Sequence, residues 1–324
     1  MTSGRADRRP GEFALIAELF APLSKNAPGA FGLTDDAAVL ALPPDHELVL
    51  KTDAVVEGVH FFKTDPPGSV AQKALRVNLS DLAAKGAVPA GYLMALLLPD
   101  WPGMAWLRAF ADGLAADQVA FGLSLMGGDT SATPGPLAVS ISAFGYVPAA
   151  AMIRRAGARP GDLVFVSGTI GDAGGGLAVL KENRSGAELV ARYRVPEPRL
   201  SLGLALRGLA SASLDVSDGL MADLGHIADV SKVRIEVEAA RIPLSKALKA
   251  LWGADAANRA ATAGDDYEIA FTAPASRRGD VANAAARSGV AVTEIGRVVA
   301  GAGAVLLDAS GRDIAIAKRG YTHF

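Results

Sequence analysis

Strand-length apolar runs alternate with stretches of helical periodicity along nearly all of the 324 residues, which limits the chain to an α/β or α+β architecture and excludes a bundle or a sandwich. In the first half we read strands at 37–41, 47–52, 91–98, 124–128 and 137–147, with helices at 11–20, 69–85 and 103–121. The second half restarts on a strand at 163–167. Helices around 177–181, 187–193 and 200–210 follow, with strands near 235–237, 267–271, 292–298 and 304–307. Between the halves, the Arg154-Arg155 pair and the turn Arg159-Pro160-Gly161-Asp162 mark a junction. The expected domains are 1–150 and 151–324, each large enough for its own core.

Composition removes several classes of function. Net charge is −2, with 20% charged residues, so the basic excess that neutralises a nucleic-acid backbone is missing. Nucleic acid is not an expected partner. No cysteine occurs, which excludes disulfides, thiolate nucleophiles, Cys-ligated zinc and iron–sulfur clusters, and fits a reducing, cytoplasmic compartment. The basic N-terminus leads into Gly11-Glu12 with no apolar signal core, and the longest purely apolar run is 92–99. A membrane span needs roughly 20 apolar residues, so neither secretion nor a membrane is expected.

Familiar nucleotide and metal motifs fail. No segment matches G-x-x-x-x-G-K-[S/T], and the glycine-rich stretch 168–176 lacks both the Lys-Ser/Thr ending and the G-x-G-x-x-G spacing. It reads as a strand–turn–helix connection. His46, His60, His226 and His323 are dispersed, with no cysteine to complete a zinc set. Asp215-x-Ser217-x-Gly219 opens like a calcium loop, but His226 stands where a bidentate glutamate belongs.

Aspartates at strand ends and turns are the informative feature. They occur in Thr34-Asp35-Asp36, Lys51-Thr52-Asp53, Asn78-Leu79-Ser80-Asp81, Gly127-Gly128-Asp129-Thr130 and Asp215-Val216-Ser217-Asp218-Gly219. Singly, most have a structural account: Asp35, Asp36, Asp53 and Asp129 as turn formers, and Asp215 or Ser217 as the N-cap of a helix beginning near Leu220. Asp81 differs, because in an apolar stretch an uncompensated carboxylate is costly. Two unit charges about 4 Å apart repel by roughly 4 kcal/mol at an effective dielectric near 20, so convergent carboxylates require cations. Ligation by oxygen alone selects hard metals, and magnesium takes one or two carboxylates together with water and substrate phosphates. That chemistry belongs to phosphoryl transfer.

Taken in order, these segments resemble the thiamine-monophosphate kinase family, within the aminoimidazole ribonucleotide synthetase-like superfamily. The likeness runs from Gly11-Glu12-Phe13 through the aspartate segments, Pro160-Gly161-Asp162 and Gly264-Asp265-Asp266-Tyr267-Glu268 to Gly320-Tyr321-Thr322-His323-Phe324. The resemblance implies an α/β (α+β) two-domain fold: an N-terminal mixed-sheet domain that binds ATP and magnesium and forms a homodimer, and a C-terminal α/β domain. It implies phosphorylation of thiamine monophosphate by ATP to give thiamine diphosphate. Matched by position, Asp36, Thr52, Asp53, Asp81, Asp129, Asp215 and Asp218 hold several Mg2+ ions. Gly128, Asp129, Arg155 and Ser217 contact ATP, and His60, Asp265 and Tyr321 face thiamine monophosphate.

On their own residues, His60 also reads as packing beside Phe61 and Phe62, Arg155 as solvated with Arg154, and Tyr321 as C-terminal packing. An acceptor phosphate has a second pKa of about 6, so its attacking oxygen is already ionised and no general base is expected. Three positions depart from the family pattern: Thr34 replaces a turn glycine, Lys51 a serine, and Asp265 a glutamate. Two alternatives stand beside this reading. One is another ATP-dependent enzyme of the superfamily, such as one like aminoimidazole ribonucleotide synthetase; the other is a non-catalytic ATP-binding sensor.

Overall fold

The structure is a computed structural model and describes residues 10–322; His323 and Phe324, which close the last of the segments above, lie outside the described residues. The chain divides into two compact units, one comprising residues up to Leu79 together with Pro89–Pro148, the other Ser80–Val88 and residues from Ala149 onward. Each unit combines a mixed sheet with helices, so the α/β expectation holds. No helix among the described residues is long and apolar enough to cross a membrane.

In the first unit, β1 (His46–Val56), β2 (Val88–Leu98), β3 (Leu125–Ala132) and β4 (Ala138–Pro148) form a sheet in the order β1-β4-β2-β3. β1 and β4 run antiparallel from His46 opposite Pro148 to Val56 opposite Ala138, and β2 and β3 run parallel. Side chains alternate across the pleat. Val49 and Val55 of β1 share one face with Val139, Ile141 and Ala143 of β4, and all are buried. The opposite face carries Leu48 and Leu50, the latter 66% exposed. The helices Pro67–Ala84 and Met104–Phe121 meet at Gly68 and Gly113, where a Cβ on Gly113 would stand 2.4 Å from the Gly68 carbonyl oxygen.

The second unit holds β5 (Asp162–Ser167), β6 (Ala212–Asp215), β7 (Arg234–Glu238), β8 (Ile269–Pro274), β9 (Val292–Val299), β10 (Gly303–Leu307) and β11 (Asp313–Ile314). Their order is β11-β10-β7-β9-β5-β8-β6, with β7 and β10 parallel. Successive residues of β5 feed opposite cores. Val164 and Val166 pack with Leu214, Leu224 and Ile235, whereas Phe165 packs with Leu202, Leu206 and Phe271, its ring stacked on Phe271 at 5.2 Å. The residues 80–88 belong here because their polar groups are tied here. Lys85 Nζ donates to Ser213 O at 2.6 Å, Arg207 Nε donates to Gly86 O at 2.6 Å, and Ile153 N donates to Lys85 O at 3.2 Å.

Three element expectations need correction. Residues 37–41 form no strand; Val39 N–H bonds the Gly29 carbonyl at 2.8 Å, but no strand among the described residues pairs with the segment. The first helix is α-helical only over Glu12–Leu15 and then π-wound over Ile16–Phe20. β8 starts at Ile269 because Tyr267 has φ +52°, a left-handed conformation that cannot continue a strand. The four-residue β6 and the Ala- and Arg-rich helix Arg278–Ser288, with only Val281 and Ala284 buried, went unread.

Candidate active site

In the first unit, Asp36, Gly128 and Asp129 line one cleft of about 750 Å³, together with Asp35, Thr130 and apolar residues such as Leu93. The floor is shaped by Gly128, where any Cβ would fall 1.9 Å from Met94 O on the neighbouring strand. Glycine lets β3 lie flush there and continue through an exposed Asp129, which lies within the strand and not in the turn expected after it, and accepts a 2.8 Å bond from Ser131 Oγ. The turn before Asp36 tolerates Thr34. The left-handed residues are Phe31, Gly32 and Leu33, while Thr34 has φ −110° and closes the turn by donating from Oγ1 to Phe31 O at 2.7 Å.

Thr52, Asp53 and His60 are not among the residues lining that cleft. Thr52 Oγ1 donates to Ile141 O at 3.2 Å and lies 3.1 Å from Ser142 Oγ, across the β1–β4 pair. Lys51 and Asp53 sit on the opposite face, two residues apart, and pair at 3.1 Å. The residue that departs from the family pattern thus gives Asp53 a cation of its own. His60 Nδ1 accepts the Val56 N–H at 3.1 Å, which requires Nδ1 to be bare and leaves the ring proton on Nε2. Its carbonyl is held by the buried Lys73 Nζ at 2.8 Å.

In the second unit, Ser217, Asp218, Asp265 and Tyr321 are brought together by main-chain bonds. Asp265 N donates to Ser217 O at 2.8 Å, Tyr267 N donates to Val216 O at 2.8 Å, and Tyr321 N donates to Asp218 O at 2.9 Å. Gly264 and Gly320 permit this crossing, since a Cβ on either would lie within 2.6 Å of a carbonyl oxygen of residue 217 or 218. Asp215, buried at the end of β6, opens the same loop. Asp81 follows Ser80, whose Oγ lies 3.4 Å from Tyr267 O. Arg155 stands apart. Its side chain is exposed and its carbonyl is 3.5 Å from Ser231 Oγ. Tyr321 is 47% exposed with Lys318 Nζ 5.7 Å from its ring centroid, so a cation already faces the aromatic ring expected to meet a thiazolium.

The helix Leu220–Ser231 is not capped by Asp215 or Ser217. Its N-cap is Gly219, and Asp223 folds back so that one carboxylate oxygen accepts the N–H groups of Ser217, Asp218 and Gly219 at 3.0–3.1 Å. Burial pushes the Asp223 carboxyl up to about 7, with the Asp218 charge adding to it and the three N–H donors opposing. Asp218, Asp223 and His226 can bring ligand atoms within 4.8 Å of one another. Sequence reasoning missed Asp223; its one signal was an acidic residue in a first helical turn.

The AIR synthase related protein family matches this chain in both parts, the N-terminal domain over residues 34–147 and the C-terminal domain over 159–308. A curated thiamine-monophosphate kinase of Caulobacter vibrioides is 44% identical, over 97% of this chain and 91% of its own length. The chain belongs to the thiamine-monophosphate kinase family. A solved thiamine-monophosphate kinase of Stenotrophomonas maltophilia superposes with a TM-score of 0.85 at 40% identity, covering 94% of this chain and 98% of that one. The family also includes a solved complex of AaThiL with AMPPCP and TMP, which is 32% identical with a TM-score of 0.78 and covers 98% and 99% of the two chains.

Proposed function

We propose that this protein transfers the terminal phosphoryl group of ATP to thiamine monophosphate, giving ADP and thiamine diphosphate. The observation that carries the reading is the joining of residues 216–218 to Asp265, Tyr267 and Tyr321 by main-chain hydrogen bonds, which supports assigning neighbouring positions to the nucleotide and to the acceptor. Relatives named for this activity match almost end to end, and the AaThiL complex holds an ATP analogue together with TMP.

An oxygen of the acceptor phosphate attacks the γ-phosphorus, the bond to the β,γ-bridging oxygen breaks, and ADP leaves. With a second phosphate pKa of about 6 the attacking oxygen is already ionised near neutral pH, so no side chain has to remove a proton. The work of the protein is positioning and charge compensation. Gly128, Asp129, Arg155 and Ser217 are assigned to ATP, and His60, through its Nε2–H, with Asp265 and Tyr321 to thiamine monophosphate.

The donor set fits magnesium: Asp36, Thr52, Asp53, Asp81, Asp129, Asp215 and Asp218 offer only oxygen, and the chain has no cysteine. Bound there, Mg2+ would neutralise phosphate charge. Lys51, at 3.1 Å from Asp53, makes the Thr52–Asp53 pair the least demanding of a metal. The apolar sheet face of the first unit, with Leu48, Leu50 and Leu93 exposed, supports a second copy of the chain as partner. A cytoplasmic setting accords with a cysteine-free chain.

Incubation with ATP, magnesium and thiamine monophosphate, read by chromatography, is expected to yield thiamine diphosphate in proportion to ADP. Tight ATP binding with no product would replace this reading with a non-catalytic nucleotide sensor. Turnover of ATP with a different acceptor would point to another branch of the superfamily.

A further inference from the structure

The acceptor-side loop is held in an unusual conformation. Asp265 and Tyr267 both lie in the left-handed region, at φ +69° and +52°, where residues with a Cβ are uncommon and persist only when their surroundings dictate it. The alternate residues, Asp266 and Glu268, point the other way and are almost completely buried. Asp266 accepts the N–H of Gly171 at 2.6 Å and of Ala173 at 3.2 Å, at the start of the helix Asp172–Lys181. Glu268 accepts from Ser167 Oγ at 2.6 Å, from Arg192 Nη2 at 2.8 Å and from two nitrogens of Arg199 at 2.8 and 2.6 Å. Arg192 also reaches Asp266 O at 3.2 Å.

The two arginines bring two positive charges to Glu268, and Glu197, 2.9 Å from Arg199, makes the group neutral. Gly168 leaves room for the carboxylate, since a Cβ there would fall 2.2 Å from Glu268 Oε1. Main-chain bonds from Val216 N to Glu268 O and from Tyr267 N to Val216 O, both 2.8 Å, complete the clamp. The loop so held presents the Asp265 carboxylate, which accepts from the Tyr267 hydroxyl at 3.3 Å.

We propose that Asp266 and Glu268, through Arg192 and Arg199, are positioning residues that set the left-handed turn and so aim Asp265 at the acceptor substrate. This rests on the assignment of Asp265 to thiamine monophosphate. The anchors lie on the acceptor side, so their loss weakens acceptor binding selectively.

The test compares wild-type protein with Glu268→Gln, which keeps shape but loses charge, with Asp266→Asn, and with Arg199→Lys, which keeps charge but loses the two-pronged bond. Steady-state kinetics are paired with calorimetric titration of thiamine monophosphate without ATP. Glu268→Gln and Asp266→Asn should each raise KM and Kd for thiamine monophosphate about tenfold or more, with KM for ATP within about twofold and an intact melting transition. Arg199→Lys should give a smaller shift in the same direction. If acceptor affinity is unchanged in folded variants, or ATP and acceptor affinities fall together, the positioning role is wrong while the kinase assignment stands. If wild-type protein neither binds nor phosphorylates thiamine monophosphate, both are wrong.

Discussion

The candidate sites of the two units treat their acidic side chains in opposite ways, although away from its site the first unit also buries a carboxylate, Asp117, against Arg76 and Gln72. In the first, Asp36 and Asp129 are exposed in a cleft, and the partner of Asp129 is a serine two residues away. In the second, Asp223, Asp266 and Glu268 are buried; Asp223 is held by backbone N–H groups four to six residues away, and Asp266 and Glu268 by backbone N–H or guanidinium groups distant in sequence. Carboxylates of the first kind cost little to keep and are available to a ligand. Those of the second kind hold loops in place, and Asp218 and Asp265, which we assign to ligands, stand on the loops they hold. The same residue type thus serves binding at one site and architecture at the other, and at these two sites stability and activity should respond to mutation in opposite proportions.

The largest effect on stability is expected at Glu268. Replacement by leucine strands Arg192 and Arg199, whose side chains are only 18% and 14% exposed, and removing one partner of a buried ion pair costs about 3–5 kcal/mol. Urea unfolding should show that loss. Asp129→Asn should do the reverse. Its exposure limits the stability change to about 0.5 kcal/mol, whereas turnover should fall by roughly 10² or more if the carboxylate helps compensate phosphate charge. Turnover within twofold of wild type would remove Asp129 from the site and collapse the contrast.

This contrast also marks how far the site was legible. The strict alternation of burial along β4 made that strand readable, and the apolar run of β2 likewise. Aspartates of the exposed kind were readable too, because Asp36 follows a turn and Asp129 follows two glycines, short motifs whose chemistry is local, although Asp129 lies within β3 and not in a turn. Asp266 and Glu268 stand in the same short segment as Asp265 and carry no signal of their own in the sequence. Their partners Gly171, Arg192 and Arg199 lie 69 to 95 residues away and leave no local trace. The left-handed turn that cuts β8 short was unreadable for the same reason: nothing in Asp-Asp-Tyr-Glu announces positive φ, which long-range anchors impose. Lys51 and Asp53 were the converse case, two residues apart on one strand face, so their pairing follows from the pleat alone.

A pH series sharpens the comparison from the buried side. Burial pushes the Asp266 carboxyl up to about 8 against an ordinary value of 3.8, outweighing two backbone donors and the Arg192 charge. The unfolded chain therefore releases this proton near pH 4 and the folded chain only near pH 8. Between those values the unfolded state binds fewer protons, so stability falls as pH rises, by up to about 1.4 kcal/mol per pH unit for one group. Asp266→Asn cannot release the proton, and its stability relative to wild type should rise from pH 4 to 8 and then level off. A difference independent of pH would show that the folded protein holds Asp266 as an ordinary carboxylate.

The smallest effect should come from Lys51→Ser. The Lys51–Asp53 pair has good geometry at 3.1 Å, but its side chains are 29% and 37% exposed, and water screens much of the attraction. Ion pairs with this degree of exposure contribute from nothing to about 1 kcal/mol, and adding salt weakens them further. The variant should unfold within that margin of wild type at low ionic strength and be indistinguishable from it in high salt. The buried Glu268 group should show no such salt dependence. If Lys51→Ser instead cost several kcal/mol and ignored salt, its strand face would be as dry as the Glu268 clamp, and solvent exposure could no longer separate the two kinds of carboxylate.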